Sequence, residues 1–141
     1  MTKGRSKQSS GSGDDLSLPK DKILRGRKNF KRLFENEAQV IRNQIVDLRF
    51  QILDMDSSGC FMGFIVKKSL GKAHKRNHMK RLLKEAYRHH QHILSKPVSG
   101  ASVTFHGAFM AKVVDATYAD VEKNVIALLS KVRDQLSPGH S

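Results

Sequence analysis

Acidic residues are scarce in this sequence: 13 Asp and Glu stand against 26 Lys and Arg, for a formal net charge of +13. Tryptophan is absent, and Cys60 is the single cysteine. One cysteine cannot close an internal disulfide. Cys60 lies in the apolar run GCFMGFIV and reads as a buried structural thiol of a reducing compartment. No apolar run approaches the ~20 residues of a membrane span, and no signal-peptide apolar core stands near the N-terminus. A phosphate-cradling glycine loop is also missing.

The chemistry of a self-contained enzyme is just as sparse. Asp47, Asp54, Asp56, Glu85 and Asp115 are scattered over turns and polar faces. No two of them are placed by local spacing to share a metal or to divide acid and base roles. His74 and His78 stand at i, i+4, and His89, His90 and His92 cluster downstream. The residues between the first pair are Lys75, Arg76 and Asn77, not the Glu of a metalloprotease helix, and cations repel a divalent ion. The sequence thus predicts no protein-bound metal and no catalytic side chains, with the histidines as weak phosphate or 2′-hydroxyl contacts.

What is present is charge concentrated in one place. Lys67 to Arg88, KKSLGKAHKRNHMKRLLKEAYR, holds nine Lys or Arg and one acid, Glu85, or +8 of the +13. Met79, Leu82, Leu83, Ala86 and Tyr87 recur at the spacing of a helix packed on a core. Arg76, Asn77, Lys80, Arg81, Lys84 and Arg88 fall on an adjoining arc. Like charges at i, i+4 destabilise an isolated helix by a few tenths of a kcal/mol per pair, so a polyanion is the natural partner for such an arc. A solubilising face mixes signs, and a membrane-surface helix wants Trp or Phe on its apolar side. A pI near 10.2 points the same way, to nucleic acid. Gly71 precedes the helix and is expected to end the segment before it in a conformation closed to other residues.

At 141 residues the chain has the length of one domain. Residues 1–20, Ser, Gly and charge, read as a disordered arm, 21–136 as the domain, and 137–141 as a tail. In ILRGRKNFKRLFENE, Phe30, Leu33 and Phe34 share a helical face surrounded by Arg27, Lys28, Lys31 and Arg32. Gln44 to Leu53 alternates as a strand, with Val46, Leu48, Phe50 and Ile52 on one side and Asp47, Arg49 and Gln51 on the other. Cys60 to Val66 is a second strand, antiparallel to the first through a hairpin-like loop. Phe50 faces either a cleft or the core. The segment HHQHILSKPVSG reads as a loop ended by Pro97 and Gly100, and Ser102 to Lys112 as a strand interrupted by Gly107. Thr117, with Asp120 three residues on, caps a final helix along which Tyr118, Val121, Val125, Leu128 and Val132 step by three and four, closed by Ser137-Pro138-Gly139. The fold class is α/β, an α+β sandwich in the order α-β-β-α-β-α with a small, mainly antiparallel sheet.

Gly71, Ala73, Arg76-Asn77, Lys80-Arg81-Leu82, Glu85 and Arg88 resemble the signature of the bacterial ribonuclease P protein component, a basic helix with an Arg-Asn-Arg core, then Lys-Arg and a later Arg-Glu. His78 takes the third position of the Arg-Asn-Arg element, and Lys84 stands for the usual Arg before Glu, exchanging a bidentate fork for a point charge. The resemblance covers roughly Leu24 to Leu136. It implies the fold of the ribosomal-protein second-domain superfamily, with a left-handed β-α-β crossover where general statistics favour the right-handed one. It also implies that the chain is a cytoplasmic subunit of an endoribonuclease whose catalytic centre and Mg²⁺ belong to an RNA subunit. Lys72, Arg76, Asn77, His78, Lys80, Arg81, Lys84 and Arg88 would then bind that RNA. Phe30 and Phe34 match the family's Phe-x-x-x-Phe pair beside the cleft for the single-stranded 5′ leader of precursor tRNA, with Phe50, Lys67 and Lys68 as further leader contacts. Plain core packing of the phenylalanines is the competing reading. No membrane or DNA partner is expected. A ribosomal-type or general RNA-binding protein of the same fold, without a catalytic partner, is the alternative, and a nuclease using its own histidines is a third class.

Overall fold

The computed structural model describes residues 22–24, 31, 33, 34, 38–54 and 59–136. The expected arm over 1–20, Phe30 and the expected tail over 137–141 lie outside the described residues. Of the stretch read for the first helix, Ile23, Leu24, Lys31, Leu33 and Phe34 fall within them, and Ile23 bridges to Met62 of the sheet.

The alternating stretch forms β2 (Val46–Leu53), between a short β1 (Gln39–Ile41) and β4 (Thr104–Ala111). With β3 (Gly59–Val66) they make one sheet in the order β1-β2-β4-β3. The β1–β2 and β2–β4 ladders are antiparallel, and β3 runs parallel to β4. β2 and β3 therefore do run in opposite directions, but the expected hairpin does not form because β4 lies between them. The physical reason is burial: seven of the eight β4 residues are buried, and a strand covered on both faces belongs inside a sheet rather than at its edge. Gly107 does not interrupt it, and the ladder runs unbroken from Thr104 to Ala111.

Three α-helices fully within the described residues connect and cover this sheet: α1 (Ala73–His90), α2 (His92–Ala101) and α3 (Tyr118–Leu136). The segment expected as a loop is α2, with Pro97 inside it. Proline removes one intrahelical bond, but Leu94 and Val98, one turn apart, are both buried in the core, and their burial outweighs the lost bond. Ser102, in the left-handed region at φ 57°, closes α2 with its N–H donating to the Ser99 carbonyl at 3.2 Å.

One face of the sheet carries the core. Val46, Leu48 and Phe50 meet Phe105 and Phe109 across the β2–β4 ladder, and Met62 and Phe64 join from β3. Met79, Leu83, Ala86 and Tyr87 of α1 close over them, with Val121, Val125, Leu128 and Val132 of α3. The apolar stripes anticipated on both helices are the ones buried. Gly107 belongs to this face because a Cβ there would stand 2.5 Å from Cε1 of Phe105. Gly71 has an extended backbone (φ 162°) open to any residue, so the expected conformational role is not its reason. Its constraint is space, since a Cβ would meet Cγ2 of Val114 at 3.1 Å.

Asn124 is the polar residue buried on α3. Its Oδ1 accepts from Ile45 N–H and its Nδ2 donates to the Asp120 carbonyl, both at 3.0 Å, tying the helix to the start of β2. Thr117 caps α3 as expected, its Oγ1 accepting from Asp120 N–H at 3.2 Å.

Candidate nucleic-acid interface

Packing of the α1 stripe against the core decides which way its cations point. Lys72, Lys75, Asn77, His78, Arg81 and Lys84 are exposed, and Arg76, Lys80 and Arg88 are half-buried. Among the described residues, acids reach only two of these cations. Lys75 pairs with Asp115 at 3.1 Å, and Arg88 with Glu85 one turn before it. Arg76 donates from Nε to the Gly71 carbonyl at 3.0 Å, which holds its stem, and no described acid pairs with it. Among the described residues, Lys72, Lys80, Arg81 and Lys84 have no acidic partner. The first turn of α1 carries no acid and no side-chain cap, so the positive end of the helix dipole adds to the same field.

The arc is thus not uniform. Its C-terminal end is a network in which Glu85 also lies 3.3 Å from His89, and His89 contacts the Tyr118 hydroxyl at 3.4 Å. The Arg88 hydrogen bond holds the Glu85 carboxyl below the usual carboxylate range. His90 contacts Glu122 of α3 at 2.8 Å. The histidines at this end are tied into the α1–α3 seam. His74 and His78 stand out on the open helix.

The opposite face of the sheet is buried along most of β4 and half-buried at its β2 and β3 margins. Leu24, Leu33 and Ala108 form a small buried cluster with Phe61 and Ile65 against them. Beside it Phe34 is 47% exposed, with the Arg49 guanidinium carbon 4.8 Å from its ring centroid. Arg49 Nη1 also reaches the Leu33 carbonyl at 3.4 Å. One register step along, Gln51 of β2 pairs with His106 of β4, and His106 with Phe61 of β3. The Phe61 and His106 rings meet edge to face at 5.4 Å, and Lys22 Nζ lies 5.2 Å from the Phe61 centroid. Gln51 Oε1 and Arg49 Nε are buried and have no hydrogen-bond partner among the described residues. Gln51 and His106 are themselves buried, so what this face presents at its margins is the exposed Phe34 ring with Arg49 on it, and the half-buried Phe61 ring with Lys22 beside it.

Phe50 is not part of it. Its side chain is completely buried and stacks on Phe105 at 5.4 Å, on the helix-covered side. Successive strand residues point to opposite faces, so with Arg49 on the face away from α1 and α3, Phe50 has to enter the core. It is removed from the expected leader contacts. Lys67 and Lys68 are exposed at the turn between β3 and α1, and Phe30 lies outside the described residues. Sequence reasoning passed over Arg49, Gln51, Phe61 and His106. Their one visible signal was the polar phase of the β2 alternation, and only the register brings His106 and Phe61 beside it.

Among the described residues no three His, Cys, Asp or Glu side chains gather as a ligand set. Burial pushes the Cys60 thiol up to about 12, so it is an inert wall of the core.

The sequence model of the Ribonuclease P family matches residues 18–133, which includes the basic helix and the whole sheet. The chain belongs to the ribonuclease P protein family. The ribonuclease P protein component of Clostridioides difficile is 30% identical over 116 residues, 82% of this chain and 96% of that relative. That of Chlamydia felis is 37% identical over 79 residues, and the match spans about half of each chain, 55%. Among solved structures, the RNase P protein of Thermotoga maritima superposes with a TM-score of 0.62 at 23% identity, covering 77% of this chain and 96% of the other. An RNase P protein of Staphylococcus aureus gives 0.57 at 17% identity, covering 79% and 94%. These likenesses agree on the fold: a mixed α/β family member with a four-stranded sheet. No helix among the described residues is long and apolar enough to cross a membrane.

Proposed function

We propose that this chain is the protein subunit of a ribonuclease P holoenzyme, cytoplasmic and working on precursor tRNA. Through Lys72, Arg76, Lys80, Arg81 and Lys84 it binds an RNA subunit, with Asn77, His78 and Arg88 at the margins of the same face. At the exposed margin of the sheet face away from α1 and α3, Phe34 and Arg49 receive the single-stranded 5′ leader, approached past Lys67 and Lys68. The observation that carries this reading is the separation of two surfaces within one family member. One is a helix on which Lys72, Lys80, Arg81 and Lys84 have no acidic partner among the described residues, suited to the phosphates of a folded RNA. The other is an aromatic and cationic sheet margin, suited to unpaired bases.

Hydrolysis of a phosphodiester needs an activated water and stabilised charge on the departing oxygen, commonly supplied by metal ions. The described residues hold no ligand set for such ions, so no step is assigned to a protein side chain. In this proposal Mg²⁺ is held by the RNA and supplies that chemistry. The protein positions the leader and lowers the repulsion between RNA strands.

The experiment is single-turnover cleavage of a precursor tRNA by the cognate RNA subunit, with and without the protein, over a range of Mg²⁺. The protein should lower the Mg²⁺ needed and tighten substrate binding, and excess Mg²⁺ should restore much of the cleavage without it. Alanine variants at Asp47, His74, His78, Glu85 and His89 should cut at near-normal rates once bound. A variant that binds normally but cuts ~10³-fold slower, the scale of a lost catalytic group, would overturn the assignment of chemistry to the RNA.

A further inference from the structure

The C-terminal end of α1 carries a cluster built around one carboxylate. Arg88 and His89 both reach the same oxygen, Oε1 of Glu85, the first in a close ion pair and the second at 3.3 Å. They also meet each other, with Arg88 Nη2 at 2.8 Å from His89 Nε2. Tyr118, at the start of α3, stands on the far side of the imidazole, its hydroxyl 3.4 Å from His89 Nδ1.

The contact between Arg88 and His89 fixes the state of the ring. A guanidinium has donors only, so at 2.8 Å His89 Nε2 accepts and carries no proton. The proton of the neutral imidazole is then on Nδ1, facing Tyr118. Burial, and after it the Glu122 and Glu85 carboxylates, push the Tyr118 phenol up. It therefore keeps its hydrogen, and its oxygen accepts from Nδ1–H. Glu122 faces the same seam from α3 and contacts His90 at 2.8 Å, and the His92 ring of α2 lies 6.4 Å from that of His90.

A second proton on His89 reverses the arrangement. Two N–H groups, each on a cation, would face each other at the Arg88 contact. An acceptor for the new N–H is already in place, Glu85 Oε1 at 3.3 Å. The Arg88 hydrogen bond holds the Glu85 carboxyl below the usual carboxylate range, so Glu85 is still ionised where an imidazole takes up its proton. The three side chains pass from a net charge of zero to +1, and two cations compete for one carboxylate. His89 is the one that stays, because Tyr118 accepts from Nδ1–H in both states. Arg88 has the long, half-buried side chain, on the same arc as the exposed Lys84 one turn before it.

We propose that His89 is a protonation switch on the cationic face of α1. Neutral, it joins Glu85 in holding Arg88 back. Protonated, it takes Glu85 and releases Arg88 to a phosphate of the RNA subunit beside Lys84. The proposal rests on the RNA-binding reading of α1 and adds to it one contact that forms as pH falls.

Two measurements test it. In the free protein, imidazole nitrogen chemical shifts report the tautomer of His89, which at pH 8 should be the Nδ1–H form. Tyr118→Phe keeps the ring but removes the acceptor, and should weaken that preference. A wild-type His89 protonated on Nε2 at pH 8 overturns the proposal. The second measurement is binding of the RNA subunit at several salt concentrations, at pH 8 and at pH 5.5. Arg88→Ala should shallow the slope of log K against log salt little at pH 8. At pH 5.5 it should do so by somewhat under one unit, as Lys84→Ala does. In a His89→Gln background, which cannot take the proton, the effect of Arg88→Ala should stay small at both values. Between pH 8 and 5.5 the wild type should gain about two- to fivefold more affinity than His89→Gln, the scale of one exposed ion pair. An Arg88→Ala effect that is equal at both pH values, or that grows as much without His89, overturns the switch. If Lys84→Ala still shallows the slope in that series, the RNA-binding reading stands alone. If Lys84→Ala and Arg88→Ala are silent at both pH values, both readings fall.

Discussion

The guanidinium of Arg49 lies over the ring of Phe34, 4.8 Å from its centroid, and the ring stays 47% exposed. The arrangement joins a strand residue to a turn residue fifteen positions earlier. It fixes one ring at the margin of the sheet face away from α1 and α3, where a base can stack on it while the cation meets the adjoining phosphate.

Phe34→Ala should weaken binding of precursor tRNA by about 1–3 kcal/mol, the usual worth of one stacked base. Mature tRNA, which has no leader, should bind unchanged, and the melting temperature should hardly move because the side chain is half exposed. Arg49→Met should lower the same affinity without changing that for mature tRNA. Leu33→Ala is the contrasting control: this side chain is fully buried, so its loss should destabilise the fold, by about 2–5 kcal/mol. Equal losses for both tRNAs with Phe34→Ala would return that residue to a packing role.

Unequal pairing along α1 predicts unequal salt effects. Lys80→Ala, Arg81→Ala and Lys84→Ala should each shallow the slope of log K against log salt for the RNA subunit by somewhat under one unit. Arg88→Ala should change it less, because Glu85 already compensates that charge. Binding isotherms at several salt concentrations check this. Four equal changes would mean that the Arg88–Glu85 pair opens on the RNA, and no change in any variant would mean that the face is merely solvated.

Glu85 offers a test by pH. Its carboxyl is depressed in the folded protein by the Arg88 hydrogen bond, so the pair's contribution is fully present above the unfolded carboxylate value of about 4.3. It is lost as pH falls through the lower folded value. Melting temperatures of wild type and Glu85→Gln should therefore differ at pH 7 and converge in strong acid. At pH 7 and low salt, Glu85→Gln should also bind RNA about two- to fivefold more tightly, the scale of one exposed ion pair. A gap that widens on acidification would contradict the assigned pair.

Gly107→Ala should destabilise the protein by about 1–3 kcal/mol through overpacking. Its Cβ would stand 2.5 Å from Phe105 Cε1, and Phe105 cannot retreat because it is stacked on Phe50 in the closed core. Phe105→Leu should recover part of that loss, giving a coupling that a double-mutant cycle in urea measures. Independent, additive effects would show that the crowding is not between these two residues.

Local patterns alone determined a good deal about this protein. The period of 3.6 places Met79, Leu83, Ala86 and Tyr87 inward and the cations of α1 outward, and the period of two gives β2 its buried phase. Both depend only on the geometry of a single element, which neighbouring residues specify directly. The string around Arg76-Asn77 and Lys80-Arg81 carries the family. Partnership across the fold was a different matter. That β4 separates β2 from β3, that Phe50 turns into the core while Arg49 reaches Phe34, and that His106 lies beside Phe61 are all consequences of strand order and register. Residues far apart in the chain set these, through the burial of both faces of β4. In α2 the same kind of nonlocal burial, of Leu94 and Val98, prevailed over the local signal of Pro97. Hydrophobic contact between distant elements decides such choices, and no single segment contains the information to make them.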